Sequence, residues 1–387
     1  MDFTVSDDHQ QIEAAVAAIA GRFDAEYWAQ HDREHAFPWD FYNAFADAGW
    51  VGIAIPEEFG GGGGGISEAG VLLQTIAASG AAMNGCTPLH LSVFGMNVIA
   101  KHGTAELQQE ILPRVATGEL HACFGVTEPD AGLDTTRITT RAVRTGDTYV
   151  VNGRKMWISK AGQSEKIVLA CRTSPRDEAK PMKGLSILLV DLDTPGITMS
   201  PIPKMGRNAV SSYEVTFDDV VVPASRLVGE EGEGFRILLD GLNPERILLA
   251  HESLGIGRAS VELAVKYAQE REVFGRPIGQ NQGIAFPLAH ANAMLDAAEL
   301  VCKKAAWLYD NGQPCGREAN TAKYLAAEAA FYAADRCVQT LGGMGYSEEF
   351  PANRYFREAR VMRIAPVSQE LVMAFLAQNV LKLPKSY

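Results

Sequence analysis

Apolar positions change their period twice along this chain. From Ser6 to about Gly118 they return every three or four residues, as in VSDDHQQIEAAVAAIAGRFD, where Ser6 reads as the capping residue of an amphipathic helix. Between about 121 and 230 the runs shorten and turn rich in β-branched residues: TYVV, RKMWIS, KIVLACR, LSILLVD and YEVTFDDVVV, bounded by Gly, Pro or Asp. Asn152-Gly153, between TYVV and RKMWIS, predicts a hairpin turn. After the turn-rich GEEGEG at 229–234 the helical period returns in four segments, beginning RILLAHES, IAFPLAHA, EANTAKYL and SQELVMAF, which predicts a bundle. This helix, strand, helix order predicts an α+β protein with domains at 1–120, 121–232 and 233–387.

NPERILLA, at 243–250, reads locally as a helix start. Asn243 suits the N-cap, Pro244 the first helical position, and Glu245 the positive end of the helix dipole. Six glycines at 60–65 follow IAIPEE, which is too short and proline-broken for a βαβ phosphate loop, so they predict a flexible surface loop.

With 387 residues, 47% hydrophobic and 21% charged, the chain can bury a large core. A formal net charge of -12 without a Lys/Arg block excludes nucleic acid and anionic membrane surfaces as main partners, so an anionic ligand must be held by local donors. The start MDFTVSDDHQ has no signal-peptide pattern and no apolar run reads as a membrane span, which predicts a cytoplasmic location. Cys86, Cys123, Cys171, Cys302, Cys315 and Cys337 show neither CxxC nor nearby histidine ligands and predict buried free thiols.

Several stretches carry candidate chemistry. FGVTEPDAGLDTT (124–136) joins a β-prone segment to a turn of hydroxyls and small residues, and WIS (157–159) offers an aromatic plane and a hydroxyl; core packing and stacking on a flat heterocycle both fit Trp157. REVFGRPIGQNQ (271–282) breaks two helices, and QTLGGMGY (339–346) ends one, either as a glycine cap or as a close approach to a pyrophosphate.

Together with PEEFGG, FDDVVVP, GEGF and the ER of NPERILLA, these motifs resemble the acyl-CoA dehydrogenase family, in order through nearly the whole chain. The resemblance implies an N-terminal helical domain, a middle β-barrel and a C-terminal four-helix bundle, with FAD between barrel and bundle of a homo-oligomer, usually a tetramer. It implies that Phe124, Val126, Thr127, Gly132, Leu133, Trp157, Ile158 and Ser159 face the flavin. Arg271, Phe274, Gln282, Gln339, Gly342 and Gly343 are implied to reach the FAD of a neighbouring subunit, and Ser368 and Glu370 to contact the cofactor. Where the family reads TEPGAGSD this chain reads TEPDAGLD, so Asp130 replaces a glycine and Leu133 a serine expected to touch cofactor and substrate.

The implied reaction is α,β-dehydrogenation of an acyl-CoA to the trans-2-enoyl-CoA, electrons passing to an electron-transferring flavoprotein. It needs a carboxylate over the substrate's α-carbon. Many family members carry it in a YEGT-like stretch near the C-terminus, where this chain has Pro366 in RIAPVSQE. Branches resembling isovaleryl-CoA and long-chain acyl-CoA dehydrogenases carry it in an ER pair, which assigns the base to Glu245 and a pocket-shaping role to Arg246. The chain also resembles crotonobetainyl-CoA reductase-like members, so enoyl-CoA reduction is the alternative. A third reading is a weakly catalytic flavin-binding module of the DNA-repair-associated branch, against which the acidic charge and the missing basic tail count.

Overall fold

The computed structural model describes residues 5–385. Seven helices come first: α1 (Asp7–Ala20), α2 (Ala25–Glu34), α3 (Trp39–Asp47), α4 (Ile66–Ile76), α5 (Ala82–Val93), α6 (Asn97–His102) and α7 (Ala105–Ala116). Ser6 caps α1 as expected, its side chain accepting from the His9 amide. The strands follow: β1 (Ala122–Gly125), β2 (Arg141–Thr145), β3 (Thr148–Ser159), β4 (Lys166–Arg172), β5 (Leu185–Asp191), β6 (Ile197–Pro201), β7 (Ser212–Pro223) and β8 (Leu227–Val228). Then come α8 (Gly234–Glu270), a small hairpin of β9 (Glu272–Val273) and β10 (Arg276–Pro277), α9 (Gln282–Asp310), α10 (Gly316–Leu341), α11 (Gly343–Tyr346), α12 (Ala352–Val361) and α13 (Gln369–Phe375).

The α+β organisation stands, but the middle β-barrel does not form. The strands make one mixed sheet in the order β6-β7-β3-β2-β4-β5-β8, with β1 beside β4, and this path is open. Its two ends cannot close on each other: β8 has only two residues, and β6 is solvent-facing along nearly its whole length. A two-residue edge and a proline-ended edge also limit pairing with other chains. The four helical segments expected after 233 are unequal: α8, α9 and α10 are long, while the segment around SQELVMAFL forms the seven-residue α13 followed by a π-helical stretch at Leu376–Val380.

Asn152-Gly153 is no hairpin turn. β3 runs straight through it with a register shift against β7 between Val151 and Gly153, while the chain reverses at Gly146-Asp147 between β2 and β3. Glycine serves close approach there, since a Cβ on Gly153 would lie 2.4 Å from the Thr140 hydroxyl oxygen.

Buried residues of the N-terminal helices (Phe41, Phe45, Leu72, Ile76) share one continuous core with Ile247, Leu254, Leu295 and Ala326 of the long helices. The alanine face of α10, including Ala322, Ala326, Ala330 and Ala333, is fully buried and lets α8 approach closely. One stretch of the described residues, Ile66–His102, has the length and apolarity of a membrane span, which the sequence did not suggest. It is interrupted at Gly80, where φ is +95°, and α4 and α5 lie in the shared core.

The glycine loop is no free surface loop. The amides of Gly62, Gly63 and Gly64 donate to the carbonyls of Gly52, Ile55 and Ile53 at 2.8–2.9 Å, and a Cβ on Gly61 would meet the Ile55 carbonyl oxygen at 2.1 Å. Gly61→Ala is therefore expected to cost about 1–3 kcal/mol in denaturant unfolding. Gly283→Ala, at an open helical position, should leave stability unchanged or slightly higher.

Candidate active site

Glu245 is not a helix-start residue. α8 begins at Gly234 and carries Pro244 in its interior, so Glu245 lies about three turns inside, beyond the reach of the N-terminal dipole. Its Oε2 lies 2.9 Å from Nε2 of His90 on α5, and its side chain is 26% exposed. The other ring nitrogen of His90 lies 2.8 Å from Oε1 of Glu252, two turns further along α8. Glu252 is fully buried and its Oε2 has no hydrogen-bond partner among the described residues. Burial of His90 opposes its charge, but the two carboxylates outweigh burial and raise its pKa well above the ordinary histidine value. Each ring nitrogen faces a carboxylate oxygen, the arrangement in which a protonated imidazole donates to both.

Arg246, also buried, donates to the Asn243 side chain at 3.1 Å, and its Nε has no partner among the described residues. Burial lowers its pKa to about 10. The guanidinium also contributes to holding the buried Lys323 ammonium down at about 8, where burial is the larger cause. Lys323 donates at 2.7 Å to the carbonyl of Val367, next to exposed Pro366. Ser368 is occupied as the cap of α13, accepting from the Leu371 amide, and Glu370 in the first turn is exposed.

The two segments expected to face a flavin are brought together by a buried ion pair. Lys155 of β3 donates to Glu128 Oε1 at 2.9 Å and to the Val126 carbonyl at 3.0 Å, while the Met156 amide donates to the Thr127 carbonyl at 2.9 Å. Glu128 also accepts from the Thr139 and Thr140 amides. Burial raises its pKa, but Lys155 and these donors prevail and hold it down to about 2. The clamp sets Phe124, Val126 and Thr127 beside Trp157, with Trp157 53% and Leu133 58% exposed. Ile158 is buried, and Gly132 is exposed. Ser159 accepts from Arg207 at 2.9 Å, which leaves its hydroxyl proton to be donated elsewhere.

Arg271, Phe274 and Gln282 stand exposed around the β9-β10 hairpin, with Phe274 completely so at φ +55°. Gln339, Gly342 and Gly343 are exposed at the end of α10, and neither glycine has an atom within 4 Å of where a Cβ would stand. Packing within this chain gives no reason for glycine at 343 or for an uncovered phenyl at 274. Both fit a group approaching from outside, as does the half-exposed indole beside a free hydroxyl proton, so these residues are compatible with FAD. No hydrogen bond among the described residues joins the 271–282 and 339–343 elements to Trp157. A separate cleft lined by Ala54, Phe94, Asn97, Lys101 and Asp310 contains none of these residues.

Sequence reasoning missed His90, Glu252, Lys155, Glu128 and Arg207. His90 and Glu252 lie in apolar runs with no motif around them; Lys155 and Glu128 sat inside matched motifs without an assigned role.

Three family profiles match the chain: "Acyl-CoA dehydrogenase, N-terminal domain" over 6–119, "middle domain" over 123–220 and "C-terminal domain" over 232–381. The chain is 37% identical to the acyl-CoA dehydrogenase FadE12 of Mycobacterium tuberculosis over 100% of this chain and 99% of that one. It is 33% identical to an acryloyl-CoA reductase (NADH) of Anaerotignum propionicum, covering 99% and 96%. A solved glutaryl-coenzyme A dehydrogenase–glutaryl-CoA complex superposes with a TM-score of 0.94 at 31% identity, covering 100% and 98%.

The Glu128–Lys155 clamp generates a prediction. Lys155→Met strands a buried carboxylate and is expected to cost about 3–5 kcal/mol in denaturant unfolding. Because Glu128's folded pKa lies below its unfolded value, the clamp's contribution is complete above about pH 4.5 and lost as pH falls toward about 2. In Lys155→Met this acid-side loss should shrink or reverse, so the deficit against wild type is largest near neutral pH and narrows as pH falls below about 4.5, read as unfolding midpoint against pH.

Proposed function

Because the chain belongs to the acyl-CoA dehydrogenase family, an FAD-dependent class of enzymes that oxidise acyl-CoA, we propose Glu245 as the base that removes the substrate's α-proton. The observation that carries this reading is the half-open carboxylate itself: Oε2 is held by His90, and Oε1 makes no hydrogen bond among the described residues. FAD, when bound, supplies the acceptor for the hydride that leaves the β-carbon. The chain's own residues do the rest. Glu245 takes the α-proton on Oε1, buried Arg246 shapes the pocket beside it, and exposed Leu133 and Trp157 offer apolar surface from which a bound acyl chain and flavin would displace water. Pro366, in the segment where other members carry the base, cannot accept a proton.

The same reading divides the chain at 120 and 232 and places the FAD contacts of Phe124–Leu133, Trp157–Ser159, Ser368 and Glu370 within one subunit. Arg271, Phe274, Gln282, Gln339, Gly342 and Gly343 then serve a neighbouring subunit's FAD in a tetramer, and an electron-transferring flavoprotein receives the electrons in the cytoplasm. Enoyl-CoA reduction is kept as a second reading, because the acryloyl-CoA reductase relative is 33% identical along nearly the whole chain.

Glu245→Gln should retain FAD and fold, yet lower anaerobic flavin reduction by a saturated acyl-CoA by several orders of magnitude. A rate within about tenfold of wild type, or roughly 1.4 kcal/mol of barrier, would remove Glu245 from the base role. Sedimentation should give a dimer or larger; a monomeric, fully flavinated species contradicts the shared cofactor site.

A further inference from the structure

We propose that His90, clamped between Glu252 and Glu245, is a positioning residue that fixes one oxygen of the base and leaves the other free to take the α-proton. This rests on the reading of Glu245 as the base and goes beyond it, since no motif and no family expectation in the sequence pointed to α5.

The arrangement is costly for a mere core. Glu245 and Glu252, seven residues apart, stand on one face of α8 separated by about 10 Å of rise, and the imidazole enters between them. Glu252 has no solvent exposure and an unpartnered Oε2, while His90 is only 6% exposed. A packing histidine would settle for a neutral ring and one acceptor. Two others in this protein are driven toward the neutral ring: burial takes His121 down to about 3, its Nδ1 without a partner among the described residues, and His251 to about 4, with a single hydrogen bond to Gln74. His90 alone among these three buried histidines is driven the opposite way.

The second carboxylate explains how a cation can sit beside a base without spoiling it. A lone imidazolium next to Glu245 would oppose its protonation and weaken proton abstraction. Glu252 on the far ring nitrogen makes the pair electrically neutral, so Glu245 gains a directional hydrogen bond without a net adjacent charge. Charged groups on the other packed elements fit this balance. Arg207, from the loop before β7, is pulled down by burial against the opposing pull of Glu358 and Glu252; the Cys86 thiol, one turn back on α5, is pushed up by burial, Glu252 and Glu358. Lys160, beneath Pro88 and Ser92 of the same helix, is pulled down to about 7 by burial. During turnover the α C–H bond breaks and its proton joins Oε1 of Glu245. His90 keeps its own protons.

The test is anaerobic flavin reduction across pH, using the saturated acyl-CoA that reduces the wild-type holoenzyme fastest. His90→Phe should retain FAD and substrate affinity yet lose about tenfold to several hundredfold in reduction rate, with His90→Gln, which keeps one N–H donor, recovering most of it. Glu252→Gln removes the anion that offsets the charge on His90, so its profile should gain an acid-side loss: reduction is slow while a lone imidazolium faces Glu245 and recovers as pH rises through the lowered histidine value and the ring becomes a neutral N–H donor. A purely structural histidine would move neither the pH profile nor the split between rate and affinity. If Glu245→Gln is inactive while His90→Phe and Glu252→Gln match wild type in rate and pH profile, the His90 role is overturned and the base reading survives. If His90→Phe does not fold, an unchanged Glu252→Gln profile overturns it equally. A Glu245→Gln enzyme within about tenfold of wild type overturns both readings.

Discussion

A carboxylate with no solvent exposure, Glu252, sets the terms for the centre of this molecule. An ionised side chain there needs a cation in direct contact, and removing such a partner from a buried pair costs about 3–5 kcal/mol. His90 supplies it, which fixes the register of α5 against α8 and therefore the seating of the N-terminal helices on the long C-terminal ones. The start of α5 is held by a second buried carboxylate: Glu358 of α12 accepts from the Met83 and Asn84 amides at 2.5 and 3.3 Å. Burial raises the Glu358 pKa to about 7. The orientation of Glu245 is thus set by a line of buried polar contacts from α12 through α5 to α8.

The exposed indole of Trp157 depends on the same kind of device. Lys155 and Glu128 lock the turn after β1 against β3, so that an indole and a leucine can stay exposed without collapsing into the sheet. Arg207 is hydrogen-bonded to Ser159, and burial lowers its pKa against the opposing pull of Glu358 and Glu252. Buried charge here is concentrated where helices and sheet meet. Apolar packing alone would fix such junctions loosely, because apolar contacts are non-directional, whereas a hydrogen-bonded ion pair tolerates few geometries.

Much of the secondary structure was legible because period is a local property. The Ser6 cap, the strands KIVLACR and LSILLVD, and the six buried thiols follow from what adjacent residues can do. What failed had non-local causes. Asn152-Gly153 makes a turn in an isolated hairpin, yet β7 pairs across it and turns it into a bulge. NPER has the composition of a helix start, but α8 was already running and tertiary packing carries it past Pro244. Alternation marks strands and says nothing about whether edges meet, so barrel closure could not be read from it. His90 lies 155 and 162 positions from its two carboxylates, inside CTPLHLSVF, and no local pattern announces such a pairing.

The acidity of the chain makes the local donors matter more. At a formal net charge of -12, the protein repels anionic ligands at long range, so phosphate and thioester groups must be gained by donors with no competing partner. In the proposed reading those donors are the proton of the Ser159 hydroxyl and the exposed guanidinium of Arg271. Leu133, replacing a serine of the related motif, subtracts a hydroxyl from this set and adds apolar surface instead. Drier surroundings strengthen every remaining charge interaction in the pocket, so the carboxylate of Glu245 works in a medium where its hydrogen bond to His90 counts for more than it would in water.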